Sequence, residues 1–160
     1  MATRREFLKA GGAGLGALVA AQAPATVIAG PASSYPVVTV APFKSLARGA
    51  VIAFAYPDPQ SPAVLIRLGG PALGGVGPGR DIVAYSTLCT HKGCPVGYRP
   101  ERKLMICPCH WSTFDPAKAG ALVIGQASQH LPQIELRIEN EAVQAVGVSG
   151  LIYGRHTNIL

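Results

Sequence analysis

All four cysteines of the chain fall in one short window, together with two of its four histidines. The window opens with Cys89-Thr90-His91 and closes with Cys107-Pro108-Cys109-His110. The outer residues of each half-site are one thiol and one imidazole, Cys89 with His91 and Cys107 with His110, so two half-sites on separate loops can supply four ligands to one metal centre. Cys94 and Cys109 remain, and we expect them to lie side by side if the loops meet.

Three kinds of site can use this pattern. Two structural disulfides suit a secreted protein with an even number of cysteines, but they leave His91 and His110 at matched positions without a role. A zinc site takes two cysteines and two histidines, but zinc modules usually pair Cys with Cys and His with His. A Rieske centre binds two thiolates on one iron and two histidines on the other, so mixed half-sites fit it directly.

The residues around this window predict short β-strands separated by turns, because the chain contains 19 glycines and 14 prolines. The clearest strand covers residues 133–138, where Ile134, Leu136 and Ile138 alternate with polar residues. Glu139-Asn140-Glu141 then predicts a hairpin turn. The glycine-rich stretch 69–80 lacks the lysine of a phosphate loop and is predicted to be a flexible connection. Candidate strands cover residues 37–40, 51–56, 63–68, 82–86, 104–107, 121–124, 133–138 and 142–148.

This pattern predicts an all-β protein, either an antiparallel β sandwich or a small barrel. A chain of 160 residues is enough for one domain with a core. The net charge of +6 does not predict nucleic-acid binding, because past residue 29 eleven basic residues face seven acidic ones without a basic run. No Ser/His/Asp set, paired-carboxylate motif or mononuclear iron triad is present, so we expect a protein that is not catalytic alone.

Residues 1–29 predict an export signal. Arg4, Arg5 and Lys9 precede a mildly apolar stretch, residues 10–21, and small residues follow it. The paired arginines followed by Phe-Leu-Lys resemble the twin-arginine signal, which implies export of the folded protein to the periplasm. The apolar run of about a dozen residues is shorter than the ~20 that span a bilayer, so we expect no stable membrane span. Retention of the leader as an uncleaved anchor stays open.

The two half-sites, Cys89-Thr90-His91-Lys92-Gly93-Cys94 and Cys107-Pro108-Cys109-His110, together resemble the two sequence boxes of the Rieske family. The resemblance implies a [2Fe–2S] cluster, with cluster-binding loops at about 86–130 inserted as a subdomain into a domain of residues 30–160. It assigns two thiolates to one iron and two imidazoles to the other: Cys89 with Cys107, and His91 with His110. It also implies a disulfide between Cys94 and Cys109, which the oxidising periplasm would preserve.

The residues after the second box bear on the reduction potential. In high-potential respiratory Rieske proteins, a Ser and a Tyr in this region donate hydrogen bonds to the cluster. Ser112 matches the Ser, but Phe114 occupies the Tyr position and has no hydroxyl, so we expect a lower potential. Trp111 replaces the Gly usual in the family, and both shielding of the cluster and simple packing are open roles for it.

Beyond the boxes, the chain resembles the small subunit of arsenite oxidase at residues 51–58, 75–86, 125–127 and 150–155. This resemblance implies a molybdopterin-containing large subunit in which arsenite is oxidised. Electrons would pass singly to the Rieske centre and on to a periplasmic c-type cytochrome or a copper protein. The alternative is the Rieske subunit of a quinol–cytochrome c reductase, against which Trp111, Phe114 and the weakly apolar leader argue.

Overall fold

The computed structural model describes residues 35–159, so the predicted leader and the first residues of the predicted domain lie outside the described residues. Within this range, no helix is long and apolar enough to cross a membrane. Two 3-10 helices, Phe43–Ser45 and Pro116–Lys118, accompany the strands. The strands are β1 Val38–Pro42, β2 Val51–Ala55, β3 Pro62–Arg67, β4 Ile82–Ser86, β5 Gly97–Arg99, β6 Leu104–Ile106, β7 Thr113–Asp115, β8 Ala121–Ile124, β9 Gln133–Glu139 and β10 Ala142–Ser149.

The strands form two antiparallel sheets. The larger sheet has six strands in the order β1-β10-β9-β4-β3-β2, and the smaller has four in the order β5-β6-β7-β8. The smaller sheet is inserted between β4 and β9, two neighbours in the larger one. The predicted all-β fold with an inserted subdomain is therefore confirmed.

The predicted hairpin between β9 and β10 is confirmed, but its turn has two residues rather than three, because Glu139 still belongs to β9. Glu139 pairs with Ala142, and the two residues between them, Asn140 and Glu141, have φ angles of 51° and 62°. Two successive positive φ angles define a type I′ turn, whose twist matches that of the flanking strands. The turn fixes the register that places Ile134 in the core.

The central strands β3 and β4 are buried on both faces, so the larger sheet separates two cores. Leu65 and Ala84 point into a core shared with β1, β9 and β10. Ile66 and Tyr85 point the other way, into a second core completed by Met105 and other residues of the inserted subdomain. Each large side chain buried there contributes about 1.5–3 kcal/mol. The second core therefore fixes the inserted subdomain to the sheet.

Two features differ from the sequence prediction. β5 and β7 were not predicted, because Gly-Tyr-Arg and Thr-Phe-Asp each hold one large apolar residue, whereas the equally short β6, Leu-Met-Ile, is an apolar run. The glycine-rich stretch 69–80 was predicted to be flexible but folds into tight turns. The Ala72 N–H donates to Arg80 O over 2.9 Å, and the Arg80 N–H donates to Gly77 O over 2.9 Å. These hydrogen bonds, with Ala72 buried, hold the connection in place.

Candidate metal centre

The two cysteine–histidine loops have the same backbone hydrogen bonds. In each, the N–H of the first cysteine donates to the carbonyl five residues on, and the N–H four residues on donates back to the cysteine carbonyl. The first loop makes these bonds from Cys89 to Cys94 (2.9 Å) and from Gly93 to Cys89 (2.8 Å); the second makes them from Cys107 to Ser112 (2.9 Å) and from Trp111 to Cys107 (3.0 Å). The two loops thus present their first cysteine at equivalent positions.

Gly93 and Trp111 occupy equivalent positions and share a left-handed backbone, with φ angles of 71° and 60°. Glycine adopts this conformation freely, whereas a side chain with a Cβ atom pays for it. The indole of Trp111 is 71% exposed, so packing into the core does not explain the residue. The Thr113 Oγ1–H donates to Trp111 O over 3.0 Å and helps to hold the turn.

The first cysteines of the two loops are buried, and neither belongs to a disulfide. The Cys89 and Cys107 side chains lie in the same core, the one that the inserted subdomain completes. Burial raises the pKa of the Cys89 thiol, while the backbone N–H groups of His91 and Lys92 donate to its sulfur and favour the thiolate. The two free thiols exclude the alternative of two structural disulfides.

The two histidines also come together from different loops. The ring centroids of His91 and His110 are 4.8 Å apart, and the ring planes meet at 81°. His91 is half-buried and His110 is exposed, whereas the two thiols lie deeper in the molecule. The four donors therefore form a buried sulfur pair and a more exposed nitrogen pair.

A disulfide links the two loops. It joins Cys94 to Cys109, whose Cα atoms are 6.5 Å apart. The sulfurs of Cys94, Cys107 and Cys109 lie within 4.8 Å of one another, so the disulfide is adjacent to the buried Cys107 thiol. Because disulfide sulfurs offer no thiolate, this group is not a separate metal site.

A third loop, residues 125–128, follows β8 and closes over Ser112, which is fully buried. The Ala127 N–H donates to Ser112 Oγ over 3.0 Å, and the hydroxyl proton of Ser112 has no protein acceptor among residues 35–159. That proton is free to be donated elsewhere, as expected of a side chain that donates to a cluster sulfur. A Cβ atom at Gly125 would collide with the Ser112 backbone, so the third loop approaches closely only because residue 125 is glycine.

Two further residues affect the loops from outside the sequence boxes. Phe114 is fully buried in the same apolar core as Cys89 and Cys107, next to the candidate centre. Tyr153, in the C-terminal segment, places its ring 2.7 Å from the position that a Gly93 Cβ would occupy. Sequence reasoning did not assign Gly125, Ala127 or Tyr153 to the site, because each makes its contact far along the chain.

The donor set fits a two-iron cluster: two thiols that can bind one iron and two imidazoles that can bind the other. A family model described as "Rieske [2Fe-2S] domain" matches residues 38–135, more than half of the chain. The chain belongs to the Rieske [2Fe–2S] family. The cofactor of this Rieske protein is accordingly a [2Fe–2S] cluster, which overturns the zinc alternative, and its role is electron transfer.

Comparisons with known proteins agree with this membership. The chain is 40% identical over 162 residues to the iodate reductase subunit IdrB of Denitromonas iodatirespirans, covering 98% of this chain and 86% of the relative. It is 43% identical over 68 residues to the Rieske subunit of the Streptomyces lividans cytochrome bc1 complex, covering 41% of this chain and 40% of the relative. The solved soluble domain of Rieske protein II (soxF) from Sulfolobus acidocaldarius superimposes with a TM-score of 0.63 at 26% identity, covering 78% and 85% of the two chains.

Proposed function

We propose that this Rieske protein is the electron-transfer subunit of a periplasmic oxidoreductase whose large subunit carries a molybdopterin centre. The match to an iodate reductase subunit over 98% of the chain carries this proposal. The match to the bc1 subunit covers only 41% of the chain, so the quinol–cytochrome c reductase alternative has weaker support. Resemblance to the arsenite oxidase small subunit supports the same class of large partner.

The ligand assignment is part of the proposal. Cys89 and Cys107 hold one iron, and His91 and His110 hold the other, while the disulfide between Cys94 and Cys109 joins the loops. When bound, the cluster accepts and releases one electron at a time. The two buried thiols anchor it, and the more exposed imidazoles face the surface where a partner can approach.

A substitution tests the imidazole ligands. His110→Ala is expected to abolish the Rieske electron paramagnetic resonance signal of the reduced protein and to lower its iron content. His130→Ala is the matched control, because His130 is exposed and lies outside both loops. An unchanged spectrum in the His110 variant would contradict the assignment.

Two substrates fit this class of complex, and they require opposite directions of electron flow. As an iodate reductase subunit, the chain delivers electrons to the large subunit. As an arsenite oxidase subunit, it receives them from the large subunit and passes them to a c-type cytochrome or copper protein. The near-complete match to an iodate reductase subunit favours iodate. The similar stretches at residues 51–58, 75–86 and 150–155 keep arsenite as the second candidate.

One anaerobic experiment separates these functions. The native complex is purified, and the visible absorption of the cluster is followed after each addition. Oxidation of the reduced cluster by iodate supports the iodate reductase, and reduction of the oxidised cluster by arsenite supports the arsenite oxidase. Reduction by a quinol alone, with no response to either oxyanion, would overturn the proposal in favour of the respiratory subunit.

Localisation is also part of the proposal: the twin-arginine leader, residues 1–29, directs the folded, cluster-loaded chain to the periplasm. The substitution Arg4→Lys with Arg5→Lys is expected to keep the protein in the cytoplasm with its cluster in place. Cell fractionation with an absorbance spectrum of each fraction measures this. Unimpaired export of the double variant would contradict the proposed route.

A further inference from the structure

The basic residues of the described chain differ in whether an acidic residue neutralises them. Five pair with carboxylates in the ion pairs Lys44–Glu141, Arg67–Asp81, Lys118–Asp115, Arg137–Glu139 and Arg155–Asp58. Among residues 35–159, the bases without a carboxylate partner are Arg48, Arg80, Lys92, Arg99, Arg102 and Lys103. Four of these lie within residues 89–114, where Glu101 is the one acidic residue. Residues 89–114, which we call the cluster-binding region, are therefore the part of the described chain with the most unneutralised positive charge.

Part of this charge borders the second cluster loop. A shallow cleft of about 170 Å³ is lined by Arg99, Glu101, Arg102, Ile106, Pro108 and Trp111. Trp111 directly follows His110 and Pro108 directly follows Cys107, so the cleft reaches the proposed cluster ligands. We call this surface, made by the six lining residues, the Trp111 face.

Trp111 carries two unfavourable features on this face. Its indole is 71% exposed to water, and its φ of 60° is strained for any residue with a Cβ atom. The equivalent residue of the first loop is Gly93, which has neither cost. An exposed tryptophan surrounded by charge is typical of a residue that anchors a protein–protein contact. We therefore expect the contact that offsets the exposure and the strained backbone of Trp111 to come from another protein.

We propose that the Trp111 face docks a soluble redox protein with an acidic surface, which exchanges single electrons with the cluster. This proposal rests on the electron-transfer role proposed above. One electron passes between the reduced cluster and the oxidised partner, and no bond forms or breaks. Arg99 and Arg102 steer the acidic partner, and Trp111 anchors it beside His110.

The composition of the face favours a transient partner over a permanently bound subunit. Permanent interfaces are large, and their buried centres are apolar and depleted in acidic residues. This face has one large exposed apolar side chain beside Glu101 and two unpaired arginines. Such a surface suits a weak, salt-sensitive encounter of the kind that electron carriers make.

The first test measures the charge near the cluster. The full chain with its cluster is reduced, and its reoxidation by ferricyanide, an anion, is followed at low and high salt. Arg99→Glu with Arg102→Glu is expected to lower the low-salt rate constant by about tenfold. Arg48→Glu with Arg80→Glu is the matched control, because it makes the same charge change at exposed, unpaired arginines outside the cluster-binding region. Equal effects of the two double variants would overturn the steering role.

The second test measures docking. The reduced chain is mixed with two c-type cytochromes, one of acidic and one of basic surface. The rate constant with the acidic cytochrome is expected to exceed that with the basic one. In Trp111→Gly the rate constant with the acidic cytochrome is expected to fall several-fold, while that with ferricyanide changes by less than about twofold. Glycine suits the backbone at residue 111, so this variant keeps the turn. An unchanged cytochrome rate in Trp111→Gly, or a preference for the basic cytochrome, would overturn the proposal.

Three outcomes separate this proposal from the others. If the Trp111 or arginine variants lose the large subunit during purification, the face is the permanent interface and a transient partner is wrong. If no oxidant reoxidises the reduced wild-type chain, the electron-transfer function itself fails. A reoxidation rate constant that does not depend on the charge of the oxidant would contradict only the docking proposal.

Discussion

At the scale of single residues, the two cluster loops use one turn but place different residues at its left-handed position. The left-handed conformation costs about 1–2 kcal/mol for a residue with a Cβ atom. Trp111→Gly is therefore expected to raise the free energy of unfolding by about that amount, because the exposed indole contributes little burial. Urea denaturation of the cluster-loaded protein measures it. A less stable variant would show that the indole makes stabilising contacts.

By the resemblance to the respiratory Rieske proteins, Phe114 occupies the position of a Tyr that donates to the cluster, and phenylalanine has no hydroxyl to do so. Phe114→Tyr is expected to raise the reduction potential, because a hydroxyl that donates to the cluster stabilises the more negative reduced state. Preferential stabilisation by about 1 kcal/mol corresponds to roughly 40 mV for one electron. A redox titration followed by electron paramagnetic resonance measures the shift. Phe54→Tyr, on β2 in the other core, is the control, and an unshifted Phe114 variant would contradict the argument.

The chemistry of the site could be predicted from the sequence because it depends on residue types at short spacing. The half-sites Cys89-Thr90-His91 and Cys107-Pro108-Cys109-His110 carry the donors within a few residues of each other. The hydrogen bond between Ala127 and Ser112, and the contact of Tyr153 with Gly93, join residues that are distant in the chain. Their partners are set by the fold, so no local pattern indicates them.

At the scale of elements, the third loop depends on a close approach between backbones. A Cβ atom at Gly125 would lie 2.8 Å from the Ser112 nitrogen and against its Cα atom. Gly125→Ala is expected to cost about 1–3 kcal/mol more than Gly49→Ala, because backbone cannot give way as a side-chain end can. Gly49 also has a positive φ, of 83°, but nothing lies within 4 Å of its Cβ position.

Thermal unfolding and iron content of the two glycine variants measure this difference. In Gly49→Ala only the positive φ is expected to lower the free energy of unfolding, by about 1–2 kcal/mol, and the variant is expected to retain its cluster. Gly125→Ala is expected also to disturb the hydrogen bond that Ser112 accepts, and so to shift the reduction potential. Equal stability and equal potential in the two variants would show that the third loop moves freely away from Ser112.

The strands themselves were partly predictable. β9 was predicted because its two faces meet different surroundings, and the positive φ angles of Asn140 and Glu141 close its hairpin as the turn sequence indicated. β3 and β4 lack such alternation because both of their faces are buried, so their length and apolar content were the signal. β5 and β7 exist mainly by pairing with β6 and β8, which the sequence does not reveal.

At the scale of the whole molecule, an ion pair ties the C-terminal segment to the turn between β2 and β3. Arg155 Nη2 donates to Asp58 Oδ1 over 2.9 Å, and Arg155 Nη1 lies 2.7 Å from Asp58 Oδ2. The hydrogen bonds from Arg155 are the main reason that the pKa of Asp58 lies below its usual value. This pair contributes stability in full above the unfolded pKa of about 3.9, and the contribution is lost as the pH falls through the lower folded pKa.

Asp58→Asn is therefore expected to lower stability at neutral pH and to flatten the loss of stability between about pH 4 and more acidic conditions. Glu139→Gln is the control, because the Arg137–Glu139 pair is about half exposed and is expected to contribute little. Urea denaturation across this pH range measures both variants. A pH profile of Asp58→Asn parallel to that of the wild type would contradict a stabilising role for the pair.

The two sides of the inserted subdomain have different roles. Its inner side shares a core with β3 and β4, which holds Cys89 and Cys107 still, and its outer side carries His110 and the Trp111 face. Under the proposed ligand assignment, this arrangement buries the thiolate ligands and places the imidazole ligands nearer the surface, where we expect electrons to leave or enter.

The most direct test of this account is metal analysis of the native protein, purified gently with whatever subunits stay bound. We expect iron and acid-labile sulfide in equal amounts, at about two of each per chain, together with molybdenum in the associated large subunit. Iron without molybdenum would contradict the proposed partner and leave a respiratory or unattached carrier. Zinc in place of iron would contradict the cluster itself.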